Sequence, residues 1–82
     1  MEIDTRKMCA ENMREMSFSG AARKLLDDMT PGDKVEITSV VDAFGERHEP
    51  SRLRIFIQQQ KKSSEKIMTR NIGGVLHVWR IA

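Results

Sequence analysis

PSRLRIFIQQQKK, residues 50–62, is the stretch on which the reading of this chain turns. Pro50 suits the first turn of a helix, where its missing N–H leaves no bond unmade. Leu53, Phe56 and Ile57 then recur at the spacing of one buried helical stripe, so a helix is expected from Pro50 to about Lys62, with Ser63 and Ser64 ending it. With that stripe inward, the outward centre is Ser51, Ile55, Gln58 and Lys62. Arg52 and Gln59 flank it on one side, Arg54 and Lys61 on the other. No carboxylate lies between residues 51 and 64, so nothing on this helix would repel phosphate. Gln and Lys are also good helix formers, which accounts for each of them singly on a wet surface. It accounts less well for the missing acids, because solvated helices usually mix both signs.

Downstream, residues 66–70 and 75–81 read as the two arms of a hairpin rich in Val, Ile and Trp. Asn71, Gly73 and Gly74 supply the turn chemistry. A two-residue Gly73-Gly74 turn and a four-residue loop over 71–74 point different side chains inward, and the register stays open at this level. Upstream, Ser39 and Asp42 give the S-x-x-D form of a capping box. Val40, Val41 and Phe44 would be the apolar face of a short helix over about 38–45, closed by Gly45. Lys34-Val35-Glu36-Ile37 alternates like a strand. Thr30-Pro31-Gly32-Asp33 has the residues of a type II turn. Ala22, Leu25, Leu26 and Met29 form one face of a helix over about 19–29, extended a turn back by Phe18. Residues 1–16 are methionine-rich. Cys9, Met13 and Met16 at helical spacing suggest a helical arm, apart from a domain over 17–82, that docks on a partner or on a second copy.

The order helix, strand, helix, helix, strand, turn, strand resembles the winged-helix family of helix-turn-helix proteins over residues 18–81. The carrying residues are T-S-V-V-D-A-F-G (38–45), the basic helix and the hairpin around N-I-G-G (71–74). The resemblance implies an α+β domain with a three-helix core, a short strand and a C-terminal hairpin wing. It implies too that the third helix enters the major groove of double-stranded DNA while the hairpin tip, with Arg70 and Asn71, touches flanking backbone or minor groove. The residue types fit. Arginine suits guanine O6/N7, glutamine suits adenine N6/N7, Ile55 a thymine methyl, and lysine and serine phosphate oxygens. The expected site is therefore Ser51, Arg52, Arg54, Ile55, Gln58, Gln59, Lys61, Lys62, Arg70 and Asn71.

Length and charge bound these readings. The chain has 82 residues, enough for one domain, and 39% of them are hydrophobic, as in an ordinary globular core. Net charge is only +2, but acids crowd the first half, and residues 46–82 carry Glu46, Glu49 and Glu65 against Arg47, Arg52, Arg54, Lys61, Lys62, Lys66, Arg70 and Arg80. That asymmetry points to a polyanion on the basic side. Aromatics make up 5%, too few for a platform that stacks single-stranded bases, although duplex RNA stays open. The lone Cys9 forbids an internal disulfide, and the acidic start lacks a secretory apolar stretch, so a reducing cytoplasm is expected. Cys9, His48 and His77 lack metal-ligand spacing, no phosphate-loop motif occurs, and no nucleophile–base signature is visible. Neither metal, cofactor nor enzyme activity is expected. A rival reading makes the chain a protein-binding module of the small phage or plasmid type, an inhibitor or adaptor using the Met-rich arm and Trp79.

Overall fold

The computed structural model describes residues 1–5, 14–42 and 44–82, and for 14–17 the backbone path only. Among the described residues the order is β1 (Glu2–Asp4), α1 (Arg14–Asp28), β2 (Lys34–Ile37), β3 (Ser39–Val41), β4 (Arg47–His48), α2 (Ser51–Gln60), β5 (Ile67–Ile72) and β6 (Val75–Arg80). The class is α+β, with two helices and two small sheets. One sheet is antiparallel in the order β2-β6-β5. The other runs β1-β3-β4, with β1 parallel to β3 and β4 antiparallel to it. Since only Thr38 separates β2 from β3, nearly one run of extended chain serves both sheets.

The three-helix winged-helix core expected from the sequence is not present. The segment expected as its second helix is instead β3 and the loop into β4. Ser39 and Asp42 do not cap a helix there. Asp42 Oδ1 accepts the N–H groups of Phe44 (2.8 Å) and Glu46 (3.0 Å), and the Asp42 N–H donates to the Glu46 carbonyl, which closes a hairpin. Gly45, at φ +83°, takes the left-handed conformation inside that loop rather than at a helix end. Val40 and Val41 are β-branched, and a two-turn helix containing both has little margin. Strand pairing with β1 offers them an alternative with both side chains buried.

The expected N-terminal helical arm is also corrected at its start. Residues 2–4 form a strand, with Ile3 in the core and the buried Thr5 hydroxyl donating to the Val41 carbonyl at 2.8 Å. Cys9 and Met13, the rest of the proposed docking stripe apart from Met16, lie outside the described residues.

The core lies where the helical stripes and the inner sheet face meet. Phe18, Ala21, Ala22, Leu25, Leu26 and Met29 of α1 and the segment after it pack with Leu53 and Ile57 of α2, Ile37, Leu76 and Val78 of the β2-β6-β5 sheet, and Ile3 and Val40. Phe56, expected in the buried stripe of α2, is only half-buried and stacks on Phe18 of α1, with ring centroids 5.4 Å apart. After α1 the chain turns through Gly32 at φ +95°, and the Asp33 N–H donates to the Thr30 carbonyl. The β5–β6 hairpin adopts the two-residue turn. Ile72 pairs with Val75, and Gly73 and Gly74 both have positive φ, as a type I′ turn requires.

Candidate nucleic-acid interface

The basic side chains divide into those that internal acceptors consume and those that nothing inside the fold engages. Arg23 donates to the Gln60 carbonyl and to the carboxylates of Asp27 and Glu65, tying α1 to the end of α2. Its charged form is held more firmly than usual, chiefly by the hydrogen bond to Glu65. Arg80 donates Nη1 to the carbonyls of Leu26 (2.7 Å) and Met29 (2.6 Å). Arg47 pairs with Glu2, and Lys34 pairs with Glu36 while lying over the Trp79 ring. Among the described residues, the side chains of Lys24, Arg54, Lys61, Lys62, Lys66 and Arg70 have no hydrogen bond or ion pair.

Most of the free cations lie on α2 and just beyond its end. Arg54, Ile55, Gln58 and Gln59 are exposed along the helix, opposite the buried Leu53 and Ile57. Ile55 is 60% exposed, an apolar group in the middle of a polar face. Ser51 sits half-buried at the helix start. Lys61 and Lys62 follow the last helical residue, where Lys61 has already turned to extended backbone (φ −66°, ψ +141°), so they project from a bend rather than along the helix face. The bend is held by Glu65, whose carboxylate accepts the Lys62 N–H at 2.6 Å.

The hairpin separates the two residues expected at its tip. Arg70 is paired across the strands with His77, and Asn71 with Leu76. Because side chains alternate on a strand, Arg70 shares the outer face of the sheet with Trp79 and His77, while Asn71 faces the helix side. There Asn71 and Gly74 line a groove of about 500 Å³ together with Thr38, Arg47, His48, Glu49 and Pro50. The structure thus joins Asn71 to the start of α2 and leaves Arg70 on the other side. Trp79, the anchor of the protein-binding alternative, is half-buried, stacked on His77 at 5.8 Å between centroids and overlaid by Lys34.

At the mouth of that groove lies a relay which the sequence did not disclose. The fully buried Asp42 and His48 share a 2.6 Å hydrogen bond through Oδ2 and Nε2. His48 Nδ1 lies 3.4 Å from Arg52 Nη1, and its ring stands nearly perpendicular to that of Phe18. Arg52 lies over the Phe18 ring, 5.6 Å from its centroid. Arginine can only donate, so the neutral imidazole facing it accepts at Nδ1 and carries its proton on Nε2, where Asp42 accepts it.

That assignment bears on metal binding, since ligand atoms of Asp42, Glu46 and His48 lie within 4.8 Å of one another. A metal on Nε2 would need the proton on Nδ1, opposite a group that cannot accept it. The donor set therefore suits a hydrogen-bonded pair better than a metal centre. An aspartate–histidine pair can also orient a general base, but the third member here is Arg52, which has no nucleophilic atom. His48 and His77 lie in different sheets, so they form no common site. Among the described residues, no helix is long and apolar enough to cross a membrane. Compared with known proteins, the chain matches no family model, no curated protein and no solved structure at a significant level.

Proposed function

We propose that this protein binds double-stranded DNA through the outer face of α2 and acts as a small, non-enzymatic regulator in a reducing cytoplasm. One observation carries the reading. Among the described residues, Arg54, Lys61, Lys62 and Lys66 have no hydrogen bond or ion pair, whereas Arg23, Arg47, Arg80 and Lys34 are paired with internal acceptors. A domain that engages several of its other cations internally and leaves those of one acid-free helix and the bend after it unpaired has the charge layout of a phosphate-binding surface. Ten residues make a helix of about 15 Å, and a single helix fits a major groove about 12 Å wide. Gln58, Gln59 and Ile55 then face base edges, and the lysines after the helix face the backbone. The lone Cys9 supports the compartment.

The test is fluorescence anisotropy on short random duplexes. If four cations meet phosphates, affinity should fall roughly 100-fold between about 50 and 200 mM salt, from a slope near −0.9 per contact. Gln58→Ala should relax preference at one base pair while non-specific affinity is kept. No duplex binding at the low-salt end would end this reading, and stronger binding to duplex RNA would redirect it.

A further inference from the structure

Arg52 differs from its neighbours on α2 in being held before any partner arrives. Its guanidinium is fixed from two directions, by His48 Nδ1 at 3.4 Å and by the face of Phe18. His48 is fixed in turn by the buried carboxylate of Asp42 and by its T-shaped contact with the Phe18 ring. Asp42 is locked by the N–H groups of Phe44 and Glu46. The chain of contacts runs from a buried loop to an exposed cation in the first turn of α2. Among the described residues Arg54 has no hydrogen bond or ion pair to hold it in one rotamer.

Resting on the duplex-binding reading above, we propose that Arg52 reads a guanine and that His48, oriented by Asp42, is the residue that positions it. Only Nη1 of Arg52 has a hydrogen-bond partner among the described residues, so Nη2 and Nε keep their donors for a partner. A planar, pre-set fork matches the O6 and N7 acceptors of guanine and loses little entropy on engaging them. A freely moving side chain such as Arg54 or Lys62 suits phosphate, where position matters less.

The relay also makes the reading depend on the protonation of His48. The neutral ring accepts from Arg52 and donates to Asp42. The protonated ring has no lone pair at Nδ1 and sets a positive charge against the guanidinium. Among the described residues, the groups facing His48 are the carboxylates of Asp42 and Glu46, the guanidinium of Arg52 and the ring of Phe18 from α1. Arg47 and Glu49 adjoin it in the chain, and the uncharged Asn71 and Gly74 lie across the groove. Among the described residues, His48 is the group in contact with Arg52 that can take up a proton, and its protonated ring should loosen Arg52 while leaving the other phosphate-binding cations as they were.

The experiment begins with a site selected from random duplexes, followed by competition with each guanine replaced, over a pH series. Wild type should prefer guanine at one position by roughly tenfold, a preference that fades as His48 protonates. Arg52→Lys should abolish that preference and keep the salt slope. His48→Ala should abolish it too. His48→Gln, whose amide can both donate to Asp42 and accept from Arg52, should restore it and remove its pH dependence. A His48→Ala variant that still discriminates, or a pH profile unchanged in His48→Gln, overturns the proposal while leaving duplex binding intact. Absence of all duplex binding removes both readings. Nitrogen NMR of His48 tests the relay separately in the free protein, where a proton on Nδ1 rather than Nε2 at neutral pH would refute it.

Discussion

Replacing Arg80 with methionine tests whether the division between structural and free cations is real. Arg80 closes β6, and its side chain is only 18% exposed. From that position Nη1 reaches the carbonyls of Leu26 and Met29, where α1 ends and its last acceptors lack helical donors. Nη2 lies 3.5 Å from Glu65. Methionine keeps most of the apolar stem and deletes the fork. A hydrogen bond involving a charged group contributes about 1.5–3 kcal/mol. The two here share one nitrogen and end at a helix terminus that water can reach after the change, so their sum is an upper limit. A loss of about 3 kcal/mol follows, out of a total stability of roughly 4–12 kcal/mol for a chain of this length. Each kcal/mol shifts the melting temperature of such a domain by about 4–8 °C, so Arg80→Met should melt roughly 12–24 °C below wild type by circular dichroism.

Arg54→Met is the control. It should stay within about 0.5 kcal/mol of wild type, since Arg54 is exposed and, among the described residues, makes no hydrogen bond or ion pair. In DNA binding the order reverses. Arg54→Met should lower the salt slope by about 0.9, and Arg80→Met should leave it alone at a temperature where both are folded. If Arg80→Met melts with wild type, or Arg54→Met loses as much, the cations have been sorted wrongly and the charge argument for α2 falls with them.

Two further outcomes are expected. The Glu65 carboxyl is held at about 2, first by the hydrogen bond from Arg23 and then by the Lys62 N–H, against 4.5 for the free group. Since the folded value lies below the unfolded one, its contribution is complete above about 4.5 and disappears as pH falls through about 2. Thermal melts of wild type should therefore decline across that window, and those of Glu65→Gln should decline less; parallel curves would remove Glu65 from the acid response. At the hairpin, an added Cβ at Gly74 meets nothing within 4 Å, so only its φ of +80° resists substitution. Gly74→Ala should cost about 1–2 kcal/mol in a urea titration and Gly74→Asn distinctly less, and equal losses would point to a steric cause instead.

Much of the fold was legible because its signals are local. Ala22, Leu25, Leu26 and Met29 gave α1, the alternation of 34–37 gave β2, and Leu53 with Ile57 gave α2. The missed element shows where such signals stop. Ser39 and Asp42 satisfy a capping pattern, yet an aspartate oxygen accepts backbone N–H groups equally well in a tight hairpin loop. The choice was made by β1, whose Glu2 pairs with Ser39 from the far end of the first half of the chain.

The site was readable only in part for a similar reason. The outward face of α2 follows from its period. No local pattern tells that Arg80 and Arg23 are spent on carbonyls and on Glu65, or that Arg70 and Asn71 part to opposite faces. Nor does the sequence pair Asp42 with His48. The one available hint was their proximity along the chain in a segment read as helix and connector.

The parallel pairing of β1 with β3 has a consequence for how the protein comes into being. At synthesis rates of about 5–20 residues per second, the first strand waits roughly 2–7 s for its partner to be made. During that interval α1 can form from contacts within itself, but Ile3 has no core to enter and the buried bond of Thr5 has no acceptor. Once β3 emerges, the opposite shortage arises if β1 has been captured elsewhere, because Val40 and Val41 then present an open strand edge to whatever is nearby. The first strand is made early and settled late, so a chaperone that shields nascent chains would act on the segment whose delay leaves this sheet unfinished.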